Sequence, residues 1–182
     1  LVVMLGTMAF QMQDVLLESY GAEILGLSVS STTWLTAANA MGALVGFVLA
    51  GRWMMKGFDM FRMAARGLLT GVAAFTAVIF AAPLGSVAIF YVGAAGIGLG
   101  LGLFAVSTLT AAMSLPEQGM AGRGLVLGAW GAAQATAAGL AIAIGGALRD
   151  AVGGYALAGH LGEVFATPAF GYAFVYQVEI VA

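Results

Sequence analysis

Long runs of apolar residues, separated by short loops, most constrain what this chain can fold into. The hydrophobic segments lie at about 1–18, 32–51, 66–83, 86–112, 124–147 and 170–182. The inner four have the roughly 20 residues that an α-helix needs to cross a bilayer. Hydrophobic residues make up 62% of the chain and charged residues only 8%, a composition typical of proteins whose solvent is lipid. The sequence therefore predicts an all-α membrane protein.

The first and last of these segments are incomplete as membrane spans. The segment at 170–182 is too short to cross a bilayer, and the segment at 1–18 starts with apolar residues and no leading flank. We expect the chain to be an internal piece of a longer protein, cut within a helix at both ends. It would then form one six-helix half of that protein.

Charge and cysteine content exclude several functional classes. The net charge is −2 with only six lysines and arginines, too few to neutralise a phosphate backbone, so we expect no nucleic-acid partner. The absence of cysteine excludes disulfides, thiolate nucleophiles and cysteine-ligated metals. No combination of Ser, His and acidic residues typical of a catalytic site can be assembled from the sequence. We therefore expect a protein that is not an enzyme.

The distribution of basic residues predicts how the chain lies in the membrane. The second and fourth loops contain most of them, namely Arg52, Lys56, Arg62, Arg66 and Arg123. The first loop instead carries Asp14, Glu18 and Glu23. By the positive-inside rule the two basic loops face the cytoplasm. The loop at 148–169 then lies on the opposite side, where we expect a short interfacial helix.

Small residues recur at helical spacing on two of the long segments. One stripe consists of Ala38, Gly42, Gly46 and Ala50, and the other of Gly124, Gly128, Ala132 and Thr136. Such stripes let the backbones of neighbouring membrane helices approach closely. The glycines between 96 and 102 do not have the GxGxxG spacing of a dinucleotide loop, so helix packing is the preferred interpretation for them too.

A polar stripe is predicted on the first segment. Thr7, Gln11, Asp14 and Glu18 follow one another at steps of four, three and four residues, which places them on one face of a continuous helix. Asp14 and Glu18 are either the solvated end of that helix or part of a face that points into the bundle or toward a partner. Because apolar residues continue through Leu17, we prefer the second interpretation and take Gln11, Asp14 and Glu18 as candidate pigment- or partner-binding residues.

The central helices offer neutral polar groups and no charged ones. No Asp, Glu, Lys, Arg or His occurs at 67–116 or 124–148, so these helices lack the charged residue that an ion-coupled carrier usually needs. Asn39 and Gln134 lie within spans, where an amide either bonds to a neighbouring helix or contacts a ligand. We take Gln134 as a candidate ligand contact and Asn39 as a weaker one.

His160 is the single histidine and is another weak candidate. It could ligate a metal or the magnesium of a chlorin, but it lies in a loop with no second histidine to join it. A solvated loop residue is the preferred interpretation, and we predict no metal site.

Several blocks of sequence resemble one membrane family. They are MAFQMQDVLLESYGAEILGLSV at 8–29, GLFAVSTLTAAM at 102–113, GLVLGAWGAAQATAAGLAIAIGGALRD at 124–150 and GYAFVYQVEI at 171–180. These blocks are similar to the carboxy-terminal half of the PucC-like light-harvesting assembly proteins, the bacteriochlorophyll delivery family of the major facilitator superfamily. The last block adds Glu179 to the candidate binding residues.

The resemblance implies a fold and a role. The fold would be twelve helices in two six-helix halves, of which this chain is the second, in the bacterial inner membrane. The role would be to assist assembly of light-harvesting antenna complexes by binding or delivering bacteriochlorophyll, or a precursor, to antenna polypeptides. Reaction-centre or pigment-synthesis proteins are further expected partners. A secondary transporter of a small amphiphile and a structural subunit of a photosynthetic supercomplex remain as alternatives.

The sequence departs from the family pattern at several positions. Ser19 and Ala22 replace a usual Pro and Gly, and Gln177 stands where a His is common. If that His ligates pigment in relatives, Gln177 is at best a weak candidate for the same role. The loop at 51–62 is a degenerate form of the major-facilitator signature, with Met55 in place of an Asp, which favours a role other than ordinary alternating access.

Overall fold

The computed structural model describes residues 1–14, 16–114 and 122–181, whose regular secondary structure is helical throughout. The helices are α1 (Val2–Gln11), α2 (Leu16–Glu23), α3 (Val29–Met55), α4 (Met60–Ala81), α5 (Val87–Met113), α6 (Arg123–Leu157) and α7 (Pro168–Val181). A short 3-10 helix, Glu163–Phe165, lies between α6 and α7. The helices α3, α4, α5 and α6 are long and apolar enough to cross a membrane. The prediction of an all-α membrane protein is confirmed.

The single helix predicted at 1–18 is wrong, because the segment breaks between α1 and α2. The side-chain amide of Gln13 donates to the carbonyl oxygen of Phe10 at 3.2 Å. In a continuous helix that carbonyl would accept from the backbone N–H of Asp14, which here donates to the carbonyl of Gln11 at 3.2 Å. The side chain of Gln13 thus takes the place of a backbone donor at the break. As a result, the predicted polar stripe is divided between two helices.

Other helix bounds differ from the predicted ones because polar residues lie inside the helices. Ser28 and Asp59 cap α3 and α4, since their side chains accept from the backbone N–H groups of Ser31 and Arg62, so both helices begin earlier than predicted. The helix predicted at 124–147 continues to Leu157. The loop expected at 148–169 is correspondingly shorter and contains the 3-10 helix.

Helix α5 lies between α3 and α4 and contacts both closely. A methyl group added at Gly98 or Gly102 would overlap backbone carbonyl oxygens of α3. On the other face, a methyl group added at Gly96 or Gly100 would contact α4. The methyl at Gly100 would lie 2.7 Å from the carbonyl oxygen of Gly67. The alternating glycines of α5 therefore serve two interfaces, as expected of small residues in membrane helix packing.

The two predicted small-residue stripes have different surroundings. On α3, Gly42 and Gly46 are buried against the backbone of α5, so close packing is confirmed there. On α6, a methyl added at Gly124 or Gly128 would meet no atom within 4 Å. Close packing of the second stripe is therefore not seen at its two glycines in the part of the chain that the structure describes.

An aromatic core joins α1 and α2 to the rest of the bundle. The fully buried rings of this core are Phe10, Tyr20, Phe75, Phe90, Phe104, Tyr172 and Tyr176. They come from α1, α2, α4, α5 and α7, and neighbouring rings lie in tilted, edge-on or stacked arrangements with centroids 5.4–6.4 Å apart. The turn between α1 and α2 also packs on α6, where a methyl at Gly145 would lie 2.6 Å from the carbonyl oxygen of Met12. The broken segment is thus held on several sides.

Candidate functional site

The break in the first segment creates a cavity against α3. This polar cavity has a volume of about 320 Å³ and is lined by Gln13, Asp14, Leu17, Glu18, Ser19, Leu35, Thr36 and Asn39. Three of the residues predicted from the sequence, Asp14, Glu18 and Asn39, therefore come together around one space. Asp14 and Glu18 were predicted from one face of a continuous helix. They still lie at the same cavity, although that continuous helix does not form.

Interactions with α3 hold the acidic side of the polar cavity. Thr36 donates its hydroxyl to Oε1 of Glu18, which ties α2 to α3. Asn39 donates its amide nitrogen to the carbonyl oxygen of Ala94 at 3.3 Å, so it also bonds α3 to α5. Asp14 lies in the turn, outside the four membrane-spanning helices. Partial burial and the neighbouring Glu18 carboxylate raise the pKa of Asp14 above its usual range.

Gln13 is a site residue that the helical spacing did not identify. It is 2% exposed, and its Oε1 has no hydrogen-bond partner among the residues that the structure describes. Gln11, which the spacing selected, is half-buried at the end of α1 and does not line the polar cavity. The sequence shows two glutamines just before Asp14, and this pair indicated that a glutamine could belong to the site. Only the position of the helix break shows that the glutamine at the cavity is Gln13.

A second cavity lies on the other side of the broken segment. This apolar cavity has a volume of about 310 Å³ and is lined by Val2, Leu5, Gly6, Ala9, Phe10, Leu68, Gly71, Val72, Phe75, Glu179 and Ile180. The lining comes from α1, α4 and α7. Glu179 is the one ionisable residue in this lining, so a predicted candidate is set in otherwise apolar surroundings.

The carboxylate of Glu179 is buried and has no hydrogen-bond partner among the residues that the structure describes. The residue is 3% exposed, and neither carboxylate oxygen has a hydrogen bond within the described ranges. The backbone N–H of Gln13 interacts favourably with the Glu179 carboxylate but does not meet the geometry of a hydrogen bond. The buried hydroxyl of Tyr176 also has no hydrogen-bond partner among the described residues. A buried carboxyl group is costly unless it is paired. Such a group is the kind of exception that indicates a function or a missing ligand.

The remaining candidates lie elsewhere and apart from one another. Gln134 is half-buried in α6 and lines neither cavity. Gln177 is exposed on α7 beside a shallow depression. His160 is exposed after α6, where its ring stacks on Tyr155 with centroids 4.5 Å apart. No group of three or more His, Cys, Asp or Glu side chains that could hold a metal occurs in the described part of the chain.

Comparison with known proteins identifies the family. The family model described as "PUCC protein" matches residues 1–182. A Rhodobacter capsulatus protein named for its place in the puhA-bchM intergenic region is 57% identical over 178 residues, which is 98% of this chain and 37% of that relative. Protein PucC of Rhodovulum sulfidophilum is 50% identical over 152 residues, 83% of this chain and 33% of the relative.

A more distant relative carries a pigment-related name. The bacteriochlorophyll synthase 44.5 kDa chain of Rhodobacter capsulatus is 31% identical over 160 residues, 78% of this chain and 34% of the relative. The chain thus spans about a third of the length of these relatives. No solved structure matches it. From the match along its whole length and these identities, the chain belongs to the PUCC protein family.

Proposed function

We propose that the protein is a membrane assembly factor for bacterial light-harvesting antenna complexes, and that it binds bacteriochlorophyll or a precursor for delivery to antenna polypeptides. Family membership supports this role, and a relative named as a bacteriochlorophyll synthase chain supports the link to the pigment. The observation that carries the proposal is the unpartnered carboxylate of Glu179 in the wall of the apolar cavity.

The residues around Glu179 fit a magnesium tetrapyrrole. Magnesium is a hard cation that prefers oxygen ligands, and neither oxygen of the buried Glu179 carboxyl group has a hydrogen bond to another described residue. The apolar walls suit the macrocycle. The volume of about 310 Å³ is near the lower end of the roughly 300–1,000 Å³ of small-molecule pockets, so the cavity would accept the ligated part of the pigment. When bound, the pigment would supply the magnesium centre, and Glu179 would hold it.

Exposed apolar faces supply contact surfaces for membrane partners in this proposal. Exposed residues along α3 include Trp34, Met41, Leu44, Phe47 and Val48. In the bacterial inner membrane these faces would contact lipid and antenna polypeptides. We further propose that the chain forms the second half of a twelve-helix major-facilitator fold, and that it performs no chemical step of its own.

A secondary transporter is the second candidate, and Glu179 is also the observation that favours it. Ion-coupled carriers use buried titratable residues within the membrane. No Asp, Glu, Lys, Arg or His occurs at 67–116 or 124–148, but α7 contributes a glutamate that is almost fully buried. Uptake of an amphiphile into proteoliposomes that is lost with Glu179→Gln would favour this alternative over pigment delivery.

Antenna yield tests the proposed function. A phototrophic strain that lacks the protein would be complemented with the wild type, with Glu179→Gln, or with Glu163→Gln. Glu163 is an exposed carboxylate in the 3-10 helix and is therefore a matched control. We expect Glu179→Gln to reduce antenna absorbance to the level of the uncomplemented strain, with protein abundance unchanged on immunoblots. Normal antenna absorbance with Glu179→Gln would contradict pigment delivery through this residue.

A further inference from the structure

The polar cavity has an unexplained feature of its own, which is independent of the pigment proposal. Gln13 is 2% exposed and lines the cavity, yet its Oε1 has no partner in the part of the chain that the structure describes. A buried amide oxygen left without a hydrogen bond lowers the stability of the folded protein. An occupant that donates a hydrogen bond at this position would remove that loss of stability.

The amide nitrogens near the cavity are already used, so its amides present oxygen. Nε2 of Gln13 donates to the carbonyl of Phe10, and Nδ2 of Asn39 donates to the carbonyl of Ala94. Both nitrogens bond to carbonyl acceptors, which fixes the orientation of each amide. Oε1 of Gln13 and Oδ1 of Asn39 are then the amide atoms without a hydrogen bond to another described residue. Both amides therefore contribute acceptors.

The charge of the cavity is negative. Among the described residues, Asp14 and Glu18 are the ionisable ones in its lining, and no basic side chain is among them. Thr36 donates to one oxygen of Glu18. The other oxygen of Glu18 and both oxygens of Asp14 are acceptors without a hydrogen bond from the described part of the chain. Two carboxylates and two amide oxygens together select an occupant that is positively charged and rich in hydrogen-bond donors.

Size and lining distinguish an ammonium group from a bare metal ion. The volume of about 320 Å³ is roughly ten times the space that one water occupies, which is far more than a bare ion fills. Leu17 and Leu35 form an apolar part of the wall against which methylene groups can pack. The lining contains two carboxylates. No group of three or more His, Cys, Asp or Glu side chains that could hold a metal ion occurs among the described residues.

We propose that the polar cavity binds a primary ammonium group carried on a short alkyl chain. The ammonium would donate to the carboxylates of Asp14 and Glu18 and to Oε1 of Gln13. Its methylene groups would lie against Leu17 and Leu35. The ammonium is provided either by a free alkylamine or by the headgroup of phosphatidylethanolamine, since both present the same chemistry.

Calorimetric titration of the full-length, delipidated protein in detergent tests this proposal, with propylamine as the probe at neutral pH. We expect saturable binding that becomes about tenfold weaker or more with Asp14→Asn or Glu18→Gln, since hydrogen bonds to charged groups are among the strongest in proteins. Glu163→Gln removes an exposed carboxylate outside the cavity and should leave binding unchanged. Asp14 and Glu18 are both exposed, so their variants are expected to fold.

Propyltrimethylammonium and magnesium chloride are the chemical controls. The first has the charge without N–H donors, and we expect it to bind at least tenfold more weakly than propylamine. Equal binding of the quaternary ion, competition by magnesium at similar concentrations, or no binding of propylamine would each overturn the proposal. These outcomes do not depend on Glu179, so failure here is distinguishable from failure of pigment binding.

Nanodiscs identify the source of the ammonium group. Propylamine binding would be compared in discs of phosphatidylcholine alone and in discs that also contain phosphatidylethanolamine. Weaker apparent binding in the second kind of disc supports the lipid headgroup as the occupant. Equal binding in both kinds supports a free amine. Loss of binding in both kinds of disc would overturn the proposal for the protein in a membrane.

Discussion

The guanidinium of Arg149 in α6 lies 2.7 Å from the carboxylate of Glu23 at the end of α2, although the residues are 126 positions apart. The hydroxyl of Tyr172 in α7 bonds to both, at 2.6 Å from Arg149 and 2.8 Å from Glu23. Arg149 also lies over the ring of Tyr172, 4.5 Å from its centroid. This cluster joins three helices at the end of the bundle opposite the basic loop.

A double-mutant cycle of Glu23→Gln and Arg149→Gln should reveal coupling between the two residues. Both side chains are partly exposed, 48% and 30% respectively, so solvent screens the pair. We expect a coupling free energy of about 0.5–1 kcal/mol, in the range of exposed ion pairs and membrane-protein hydrogen bonds. Reversible unfolding of the protein in detergent measures it. Strictly additive effects of the two changes would contradict the pairing.

Gly42→Ala should destabilise the contact between α3 and α5. A methyl group at this position would overlap the carbonyl oxygen of Ala95, and overpacking of this kind costs about 1–3 kcal/mol. The same change at Gly51 of α3 meets no atom within 4 Å and should raise helix stability by up to about 1 kcal/mol. Unfolding midpoints followed by circular dichroism compare the two. Equal midpoints would show that α3 and α5 are farther apart than the structure has them.

Gln13→Ala should cost more stability than Gln11→Ala. Gln13 is buried and bonds to the carbonyl of Phe10 at the helix break, whereas Gln11 is half-buried at the end of α1. Loss of the Gln13 side chain is expected to lower the free energy of unfolding by about 1–3 kcal/mol. Denaturant titration of the two variants gives the comparison. A larger loss with Gln11→Ala would argue for the continuous helix that the sequence predicted.

Glu179→Met should stabilise the pigment-free protein. The unpartnered carboxyl is costly in its apolar surroundings, and methionine has a similar length without polar oxygens. Protein from a host that makes no bacteriochlorophyll should gain about 1–3 kcal/mol of unfolding free energy. The control Glu163→Met, at an exposed position, should change it by no more than about 0.5 kcal/mol. A destabilised Glu179→Met protein would mean that the carboxyl has a bonding partner.

Hydropathy and length were sufficient to predict the four long helices, because a bilayer requires about 20 apolar residues per span. The helix ends were less predictable, since Arg149 and Asp150 resemble a loop in the sequence. Within α6 they are accommodated because Arg149 bonds to Asp150, Glu23 and Tyr172. Contacts with residues far away in the chain therefore accompany the continuation of this helix beyond residue 147.

The sequence identified some of the residues that line the cavities and missed others. Asp14, Glu18 and Asn39 line one cavity, and each was identified as a polar residue near or within an apolar segment. Gln13 was missed because a side-chain bond to Phe10 accompanies the helix break, and helical spacing assumes a continuous helix. Burial of Glu179 depends on how α7 packs against α1 and α4, which local sequence does not encode.

The most direct test of pigment binding at Glu179 is the pigment content of the purified protein. The full-length wild type, Glu179→Gln and Glu163→Gln would be purified in mild detergent from a phototrophic host that lacks mature antenna. Absorbance spectra and chromatography of extracted pigments would be recorded for each. The proposal predicts near-stoichiometric bacteriochlorophyll or a precursor in the wild type and Glu163→Gln, and its loss in Glu179→Gln. A colourless, folded wild type, or equal pigment in all three, would contradict it.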